Sequence, residues 1–140
     1  MTGFEYAALI ALSLVMGAQG IGKLLDIKLY AAALGRFRAF SPKHLNGVAI
    51  AWTSTELVAC ICLGLSAINM NPLVFKIGAV AAFLDALSYA ILTVGTKLRG
   101  IEVMNCTCFG IYLPQRLSAW VIIQDFSMLT WTAWIFSKAL

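Results

Sequence analysis

The sequence predicts an all-α integral membrane protein, a bundle of four transmembrane helices with an amphipathic segment in the interface between helices 1 and 2. Of the 140 residues, 61% are hydrophobic and 11% are charged. The mean hydropathy of +0.90 lies far outside the range of soluble domains. Four apolar stretches also approach the roughly 20 helical residues that span a hydrocarbon core of about 30 Å. Lipid is therefore the expected surroundings for most of the surface.

The order of the elements follows from apolar stretches and prolines. Ser41 and Asn71 each precede a proline, which is the pattern of an N-cap residue before the first helical position, and Pro114 precedes the last stretch. The first stretch has no basic region before it and no small-residue cleavage site, so we expect a retained helix rather than a signal peptide. The predicted transmembrane helices lie at about 4–21, 42–68, 72–95 and 117–137 of a single domain, 1–140.

The connection between helices 1 and 2 contains a predicted amphipathic helix. Within residues 24–40, apolar side chains recur at helical spacing and form one stripe. This pattern is typical of a helix that lies in the membrane interface. The stripe comprises Leu25, Leu29, Ala32, Ala33, Phe37 and Phe40.

Four spans would place both termini on one side of the membrane and both longer connections, 22–46 and 96–116, on the other. The longer connections carry eight Lys and Arg residues, whereas the opposite side carries Lys76 and Lys138. The positive-inside rule therefore predicts that the longer connections lie in the cytoplasm. Basic residues placed mostly in loops are typical of contact with anionic lipid headgroups, and no basic stripe interleaved with aromatic residues indicates a nucleic-acid partner.

The clearest chemical signal is the pair Cys106 and Cys108 in the loop 96–116. A disulfide across one intervening residue closes a small, strained ring, which is easily reduced and is therefore a good oxidant. Arg99 and Arg116 lie on the same loop and favour the thiolate that attacks in exchange reactions. A redox pair, with both cysteines catalytic, is the favoured interpretation.

Two other interpretations of the cysteine pair stay open, a metal site and two cysteines without a role. Two thiolates and His44 fall short of the four ligands of a structural zinc, so no metal is assigned. Cys60 and Cys62 point about 200° apart on a helix and are expected to serve packing.

Three carboxylates lie inside predicted membrane helices, where their cost makes them candidates for function. Counted from the helix ends nearest the cysteine loop, Glu56 and Asp85 lie about 15 Å deep and Asp125 about 10 Å deep. We expect them to line one cavity with Gln19 in the same half of the membrane and Lys23 as the counter-ion of Glu56. The cluster is either a polar network that locks helix packing, or a proton path or polar wall of a quinone or substrate pocket.

Several runs together resemble the MauE family, membrane proteins of methylamine utilisation that are related to DoxX. They are residues 22–26 (Gly-Lys-Leu-Leu-Asp), the segment that ends at Pro42, the pair Glu56-Leu57, and residues 106–110 (Cys-Thr-Cys-Phe-Gly). The resemblance covers nearly the whole chain, and the Cys-x-Cys-Phe-Gly element is its most specific part. Thr107 departs from the glycine that the family more often has between the cysteines.

The resemblance implies a four-helix, redox-associated protein that supports disulfide formation or maturation in an extracytoplasmic partner. The implied partner is a thioredoxin-like or disulfide-rich extracytoplasmic protein. Composition adds membrane lipid, and the small extramembrane mass adds subunits of a membrane complex as further partners. The implied location is a bacterial-type inner (cytoplasmic) membrane, with the cysteine loop outside, where disulfides persist. This orientation is opposite to the one that the charge count predicts.

We therefore expect thiol-disulfide exchange at Cys106 and Cys108, with a membrane quinone as the candidate electron carrier. Two alternatives belong to other classes. A soft-metal or small-substrate transporter would use the thiolates to capture its cargo and would also depend on Cys60 or Cys62. A non-catalytic assembly subunit would tolerate the loss of all four cysteines.

Overall fold

The computed structural model describes residues 2–106 and 115–140. The described part contains helices and no strand, so the all-α prediction is confirmed. Two short 3-10 turns, Gly35–Phe37 and Pro42–His44, lie between the second and third helices. The helices are α1 (Gly3–Leu24), α2 (Ile27–Leu34), α3 (Leu45–Asn69), α4 (Pro72–Leu98) and α5 (Ala119–Ala139).

Three helical segments are long and apolar enough to cross a membrane. They are α1, α4, and α3 together with the turn before it, Pro42–Asn69. The 21 residues of α5 have the length of a span, but the helix is not among these segments. Its Gln124 and Asp125, with several Ser, Thr and Trp residues, lower its hydropathy. Three spans are therefore supported in the described residues, and the fourth stays a prediction.

The helix starts follow local capping chemistry. Asn71 caps α4, because its Oδ1 accepts hydrogen bonds from the backbone N–H groups of Leu73 and Val74 at 3.0 and 3.3 Å. The expected cap at Ser41 makes no side-chain hydrogen bond, and the chain there forms the 3-10 turn instead. Pro114 lies outside the described residues.

Contacts at the two ends of the molecule fix the relative direction of the helices. At one end, the Tyr6 hydroxyl donates to Met70 Sδ at 3.0 Å, which joins the start of α1 to the turn between α3 and α4. At the other end, Arg99 Nη2 donates to the carbonyl oxygen of Phe37 at 2.9 Å. The two longer connections therefore meet at one end, which we call the loop end; the other is the terminal end.

The segment between α1 and α3 is helical, and two residues of the predicted stripe, Ala33 and Phe37, are buried in it. Leu25 and Leu29 are exposed, with 68% and 51% of their surface accessible. The other face of α2 and its 3-10 turn packs on the rest of the bundle. The buried side chains are Tyr30, Ala31, Ala33, Leu34 and Phe37.

Two separate apolar clusters form the interior. The terminal-end core consists of Leu9, Leu12, Met16, Ala59, Leu63, Ala79, Ala82, Ile135 and Ala139. The loop-end core consists of Tyr30, Ala31, Leu34, Phe37, Ala49, Tyr89, Leu92, Val103, Cys106, Leu117 and Val121. The interruption between these two cores is where the polar side chains lie.

Candidate functional site

A layer of buried polar side chains separates the two cores. On α3, Glu56 lies between Ala49 of the loop-end core and Ala59 of the terminal-end core. On α4, Asp85 lies between Ala82 and Tyr89 in the same way. This polar layer comprises Lys23, Thr53, Glu56, Asp85, Thr93 and Asp125, all at most 9% exposed.

Lys23 forms the cationic centre of the polar layer. It lies in the last turn of α1, where lysine side chains usually extend towards the headgroups, yet only 1% of its surface is exposed. Its Nζ pairs with Glu56 Oε1, the contact that the sequence suggested. The same ammonium lies 4.5 Å from the ring centroid of Tyr89 and 5.4 Å from that of Tyr30, within the range of cation–π attraction.

Two tyrosines close the layer on the loop side, and the sequence analysis did not single them out. The hydroxyl oxygens of Tyr30 on α2 and Tyr89 on α4 lie 2.5 Å apart, so α2 is tied to the bundle directly above Lys23. The sequence could have indicated Tyr89. Asp85, Tyr89 and Thr93 recur every four residues and therefore share one face of α4.

Asp85 and Asp125 border a common internal cavity of about 20 Å³, together with Gln19. This volume is sufficient for one water molecule. Thr93 Oγ1 donates to Asp125 Oδ2 at 2.7 Å. Glu56 does not border the cavity and faces Lys23 instead, so the structure brings together only part of the expected cavity wall.

The polar layer contains one cation and three carboxyl groups. Within the described residues, Glu56 Oε2 and Asp85 Oδ1 are buried and have no hydrogen-bond partner. Full ionisation would leave two negative charges without compensation in a poorly solvated interior, at a cost of several kcal/mol per ion. The layer is therefore suited to hold protons that can be exchanged.

Cys106 lies in the loop-end core and is 1% exposed. Its backbone N–H donates to the carbonyl oxygen of Gln115 at 2.6 Å, and its Sγ lies 4.0 Å from Gln115 Oε1. Gln115 Nε2 in turn donates to Gln124 Oε1 at 3.4 Å. Thr107 and Cys108 lie outside the described residues.

The glutamines that adjoin Cys106 lead towards the polar layer. Gln115, Gln124, Gln19 and Asp125 all border a groove of about 390 Å³ between α1 and α5. Two of these residues, Gln19 and Asp125, also border the internal cavity next to Asp85. Polar side chains therefore line the groove between the thiol of Cys106 and the buried carboxyl group of Asp125.

A family model described as Methylamine utilisation protein MauE matches residues 1–138 of the chain. The chain belongs to the MauE family. The match confirms the resemblance read from the sequence and, with the three apolar helices, identifies a membrane protein of the MauE type. No curated protein and no solved structure matches the chain.

The other two cysteines of this MauE-family chain lie on opposite sides of α3. Cys60 Sγ faces Gly17 on α1, and a Cβ atom at that glycine would lie 2.9 Å from the sulfur. Cys62 faces Gly78 on α4 with an equally close approach. Both are packing contacts between helices. In the described ranges, His, Cys, Asp and Glu side chains form no group of three suited to a metal ion.

Proposed function

We propose that this MauE-family protein is a thiol-disulfide exchange protein of the bacterial inner membrane that supports disulfide formation in an extracytoplasmic partner. The observation that carries the proposal is the position of Cys106, a thiol of the Cys-x-Cys segment that is buried beside Gln115 and connected by polar side chains to a proton-holding layer. Family membership supports the same reading.

The proposed reaction begins with a disulfide between Cys106 and Cys108. A thiolate of the partner attacks one sulfur, forms a mixed disulfide and releases the other cysteine as a thiolate. The partner's second thiolate then attacks the mixed disulfide, which leaves the partner oxidised and both loop cysteines reduced. Two electrons have entered the loop pair. A membrane quinone takes up these two electrons with two protons and becomes a quinol, which regenerates the disulfide.

The proposed topology has α5 as a fourth span and the cysteine loop outside the cytoplasm, with α2 at the membrane interface. One of the eight basic residues that predict a cytoplasmic position of the longer connections does not face the membrane surface. Lys23 is buried against Glu56 and does not reach the headgroups. A buried, paired cation makes less contact with anionic lipid than an exposed one.

The activity is tested with purified protein in quinone-containing lipid nanodiscs and a reduced synthetic peptide with two cysteines. We expect peptide oxidation and quinol formation in equal amounts, and their loss to the uncatalysed rate in Cys106→Ser and in Cys108→Ser. Cys62→Ser is the matched control and should keep the parent rate, because Cys62 serves helix packing. Full activity in both loop variants would overturn the proposal and favour an assembly subunit.

The topology is tested by labelling intact cells with a membrane-impermeant maleimide. An extracytoplasmic, oxidised pair should react only after reduction. The variant Cys60→Ser/Cys62→Ser restricts labelling to the loop cysteines. Labelling that requires lysis of the cells would place the loop in the cytoplasm and contradict the proposed orientation. A dependence of metal uptake on Cys60 or Cys62 would instead favour the transporter.

A further inference from the structure

A second, larger groove lies between α3 and α4, on the far side of Asp85 from the internal cavity. Its volume is about 760 Å³, within the range of small-molecule sites. Its wall is almost entirely apolar and includes Phe40, Trp52, Leu84 and Ile91. Leu84 and Ile91 are 54% and 65% exposed, so the groove opens on the side that faces lipid in a membrane-spanning chain.

Asp85 is the acidic residue among those that line this groove, whose other polar residues are Thr55, Ser88 and Arg99. Asp85 is 3% exposed and borders both the groove and the internal cavity. Its Oδ1 is buried without a hydrogen-bond partner among the described residues, which is an unfavourable state for a polar atom. The neighbouring Ser88 does not relieve it, because the Ser88 hydroxyl accepts from Trp52 Nε1 at 2.8 Å and lies 2.8 Å from backbone carbonyl oxygens.

We propose that the groove binds the ring of a membrane quinone, with Asp85 as the hydrogen-bond donor and proton donor to a ring carbonyl oxygen. The inference rests on the proposed function, for which it supplies the electron acceptor's site. A quinone ring is flat and apolar, as the aromatic and aliphatic wall requires, and its carbonyl oxygens accept the hydrogen bond that a protonated Asp85 donates. Its isoprenoid tail leaves the groove over Leu84 and Ile91 into lipid.

A phospholipid acyl chain fits the same apolar wall less well. It has no polar atom to place against Asp85, so the carboxyl group would remain without a partner in hydrocarbon. The cation at the mouth of the groove is also engaged, since Arg99 donates to the carbonyl oxygens of Phe37 and Arg38 at 2.9 and 3.1 Å. An anionic headgroup would have to displace these bonds.

The groove and the loop cysteines exchange two electrons and two protons. Two S–H bonds break and one S–S bond forms at Cys106 and Cys108, while two O–H bonds form on the quinone as it becomes a quinol. Asp85 supplies protons to the ring and is recharged through the one-water cavity that it shares with Gln19 and Asp125. Cys106 lies in the same loop-end core as Leu92, which borders the groove, and Trp52 of the groove wall packs against that core.

Gly95 allows the groove to be filled without disturbing the bundle. It lines the groove, and a Cβ atom at this position would meet no atom within 4 Å. Gly95→Phe therefore places a ring in the groove. The matched control is Gly47→Phe, since Gly47 also has open space at its Cβ but does not line the groove.

Binding is measured in quinone-free nanodiscs of zwitterionic lipid, with an azido derivative of a short-chain ubiquinone as photoaffinity probe and unlabelled ubiquinone as competitor. We expect cross-links on α3 and α4, and a competitor Kd raised at least about tenfold by Gly95→Phe and by Asp85→Leu. Gly47→Phe should leave the Kd unchanged. Asp85→Asn, which keeps a hydrogen-bond donor, should retain binding and lose quinol formation.

These outcomes separate the groove from the thiol proposal, because binding does not require the cysteines. Quinone binding that depends on Gly95 and Asp85 in a protein whose Cys106→Ser variant is fully active would retain the groove and overturn the thiol mechanism. Quinone binding that is unchanged by Gly95→Phe and by Asp85→Leu, or no quinone binding at all, would overturn the proposal that the groove binds quinone. A co-purified phospholipid that Gly95→Phe displaces, without quinone binding, would identify a lipid site instead.

Discussion

The terminal-end core and the loop-end core are built from different side chains. The terminal-end core is mainly Ala and Leu, and close approaches at Gly17 and Gly78 let α1 and α4 lie directly against α3. The loop-end core contains the large side chains of Tyr30, Phe37 and Tyr89, and it includes residues of α2 and of the connections.

The polar layer lies at the boundary between these two cores. Close approaches at small residues mark the terminal end, whereas α2 and aromatic side chains fill the loop end. At the boundary, Lys23 pairs with Glu56 and lies against the rings of Tyr30 and Tyr89. The residues proposed for chemistry lie in this layer and in the loop-end core.

The largest expected effect comes from removing the cation at this boundary. Lys23→Met leaves Glu56 buried without its partner, and we expect a loss of about 3–5 kcal/mol in the free energy of unfolding. The measurement is unfolding by SDS in mixed micelles. The double variant Lys23→Met/Glu56→Gln should recover much of the loss, because the unpaired charge is gone. An unaltered single variant would show that the pair does not stabilise the bundle.

The next effect tests the close packing of the terminal end. Gly78→Leu places a Cβ atom 2.9 Å from Cys62 Cβ and 3.0 Å from Leu63 Cδ2, so we expect a loss of about 1–3 kcal/mol from overpacking. The control Gly95→Leu, in open space, should be neutral or stabilising because leucine favours the helix over glycine. Equal effects on SDS unfolding would show that the two ends do not differ in tightness.

A smaller effect is expected inside the polar layer. Thr93→Val removes the hydrogen bond to Asp125 and should cost about 1–2 kcal/mol, because the acceptor stays buried. Thr130→Val is the matched control, since the exposed Thr130 hydroxyl donates only to the carbonyl oxygen of Phe126 in its own helix. SDS unfolding measures the loss of unfolding free energy in both variants. An equal loss in Thr130→Val would show that the hydrogen bond to Asp125 contributes no additional stability.

The smallest effect belongs to the exposed ion pair at the terminal end. Lys138 Nζ lies 3.1 Å from Glu5 Oε1, with 50% of the lysine side chain exposed. Lys138→Gln should cost less than about 1 kcal/mol, and the cost should fall further in high salt. Lys138→Arg retains the charge and should match the parent protein. A cost comparable to that of Lys23→Met would contradict the distinction between buried and exposed pairs.

The sequence predicted the helices well because their signals are local. Apolar length gave the long helices, and an Asn-Pro pair gave the start of α4. The fourth span, which rests on the mixed composition of α5, stays a prediction. The segment before α3 is helical as expected, and its place in the membrane interface stays a prediction. Apolar side chains occur on two faces there, and only tertiary contacts decide which face packs on the bundle.

The sequence by itself determined the class of the protein, the apolar stretches that contain its carboxyl groups, and the cysteine pair that indicated its family. Composition, helical rise and motif spacing carry that information without a fold. Only the tertiary structure decided that Tyr30 closes over Lys23, that Asp85 and Asp125 share a cavity while Glu56 does not, and that Asp85 also borders a lipid-facing groove. These contacts join residues of different helices, so they depend on the rotation of each helix about its axis, which no local pattern specifies.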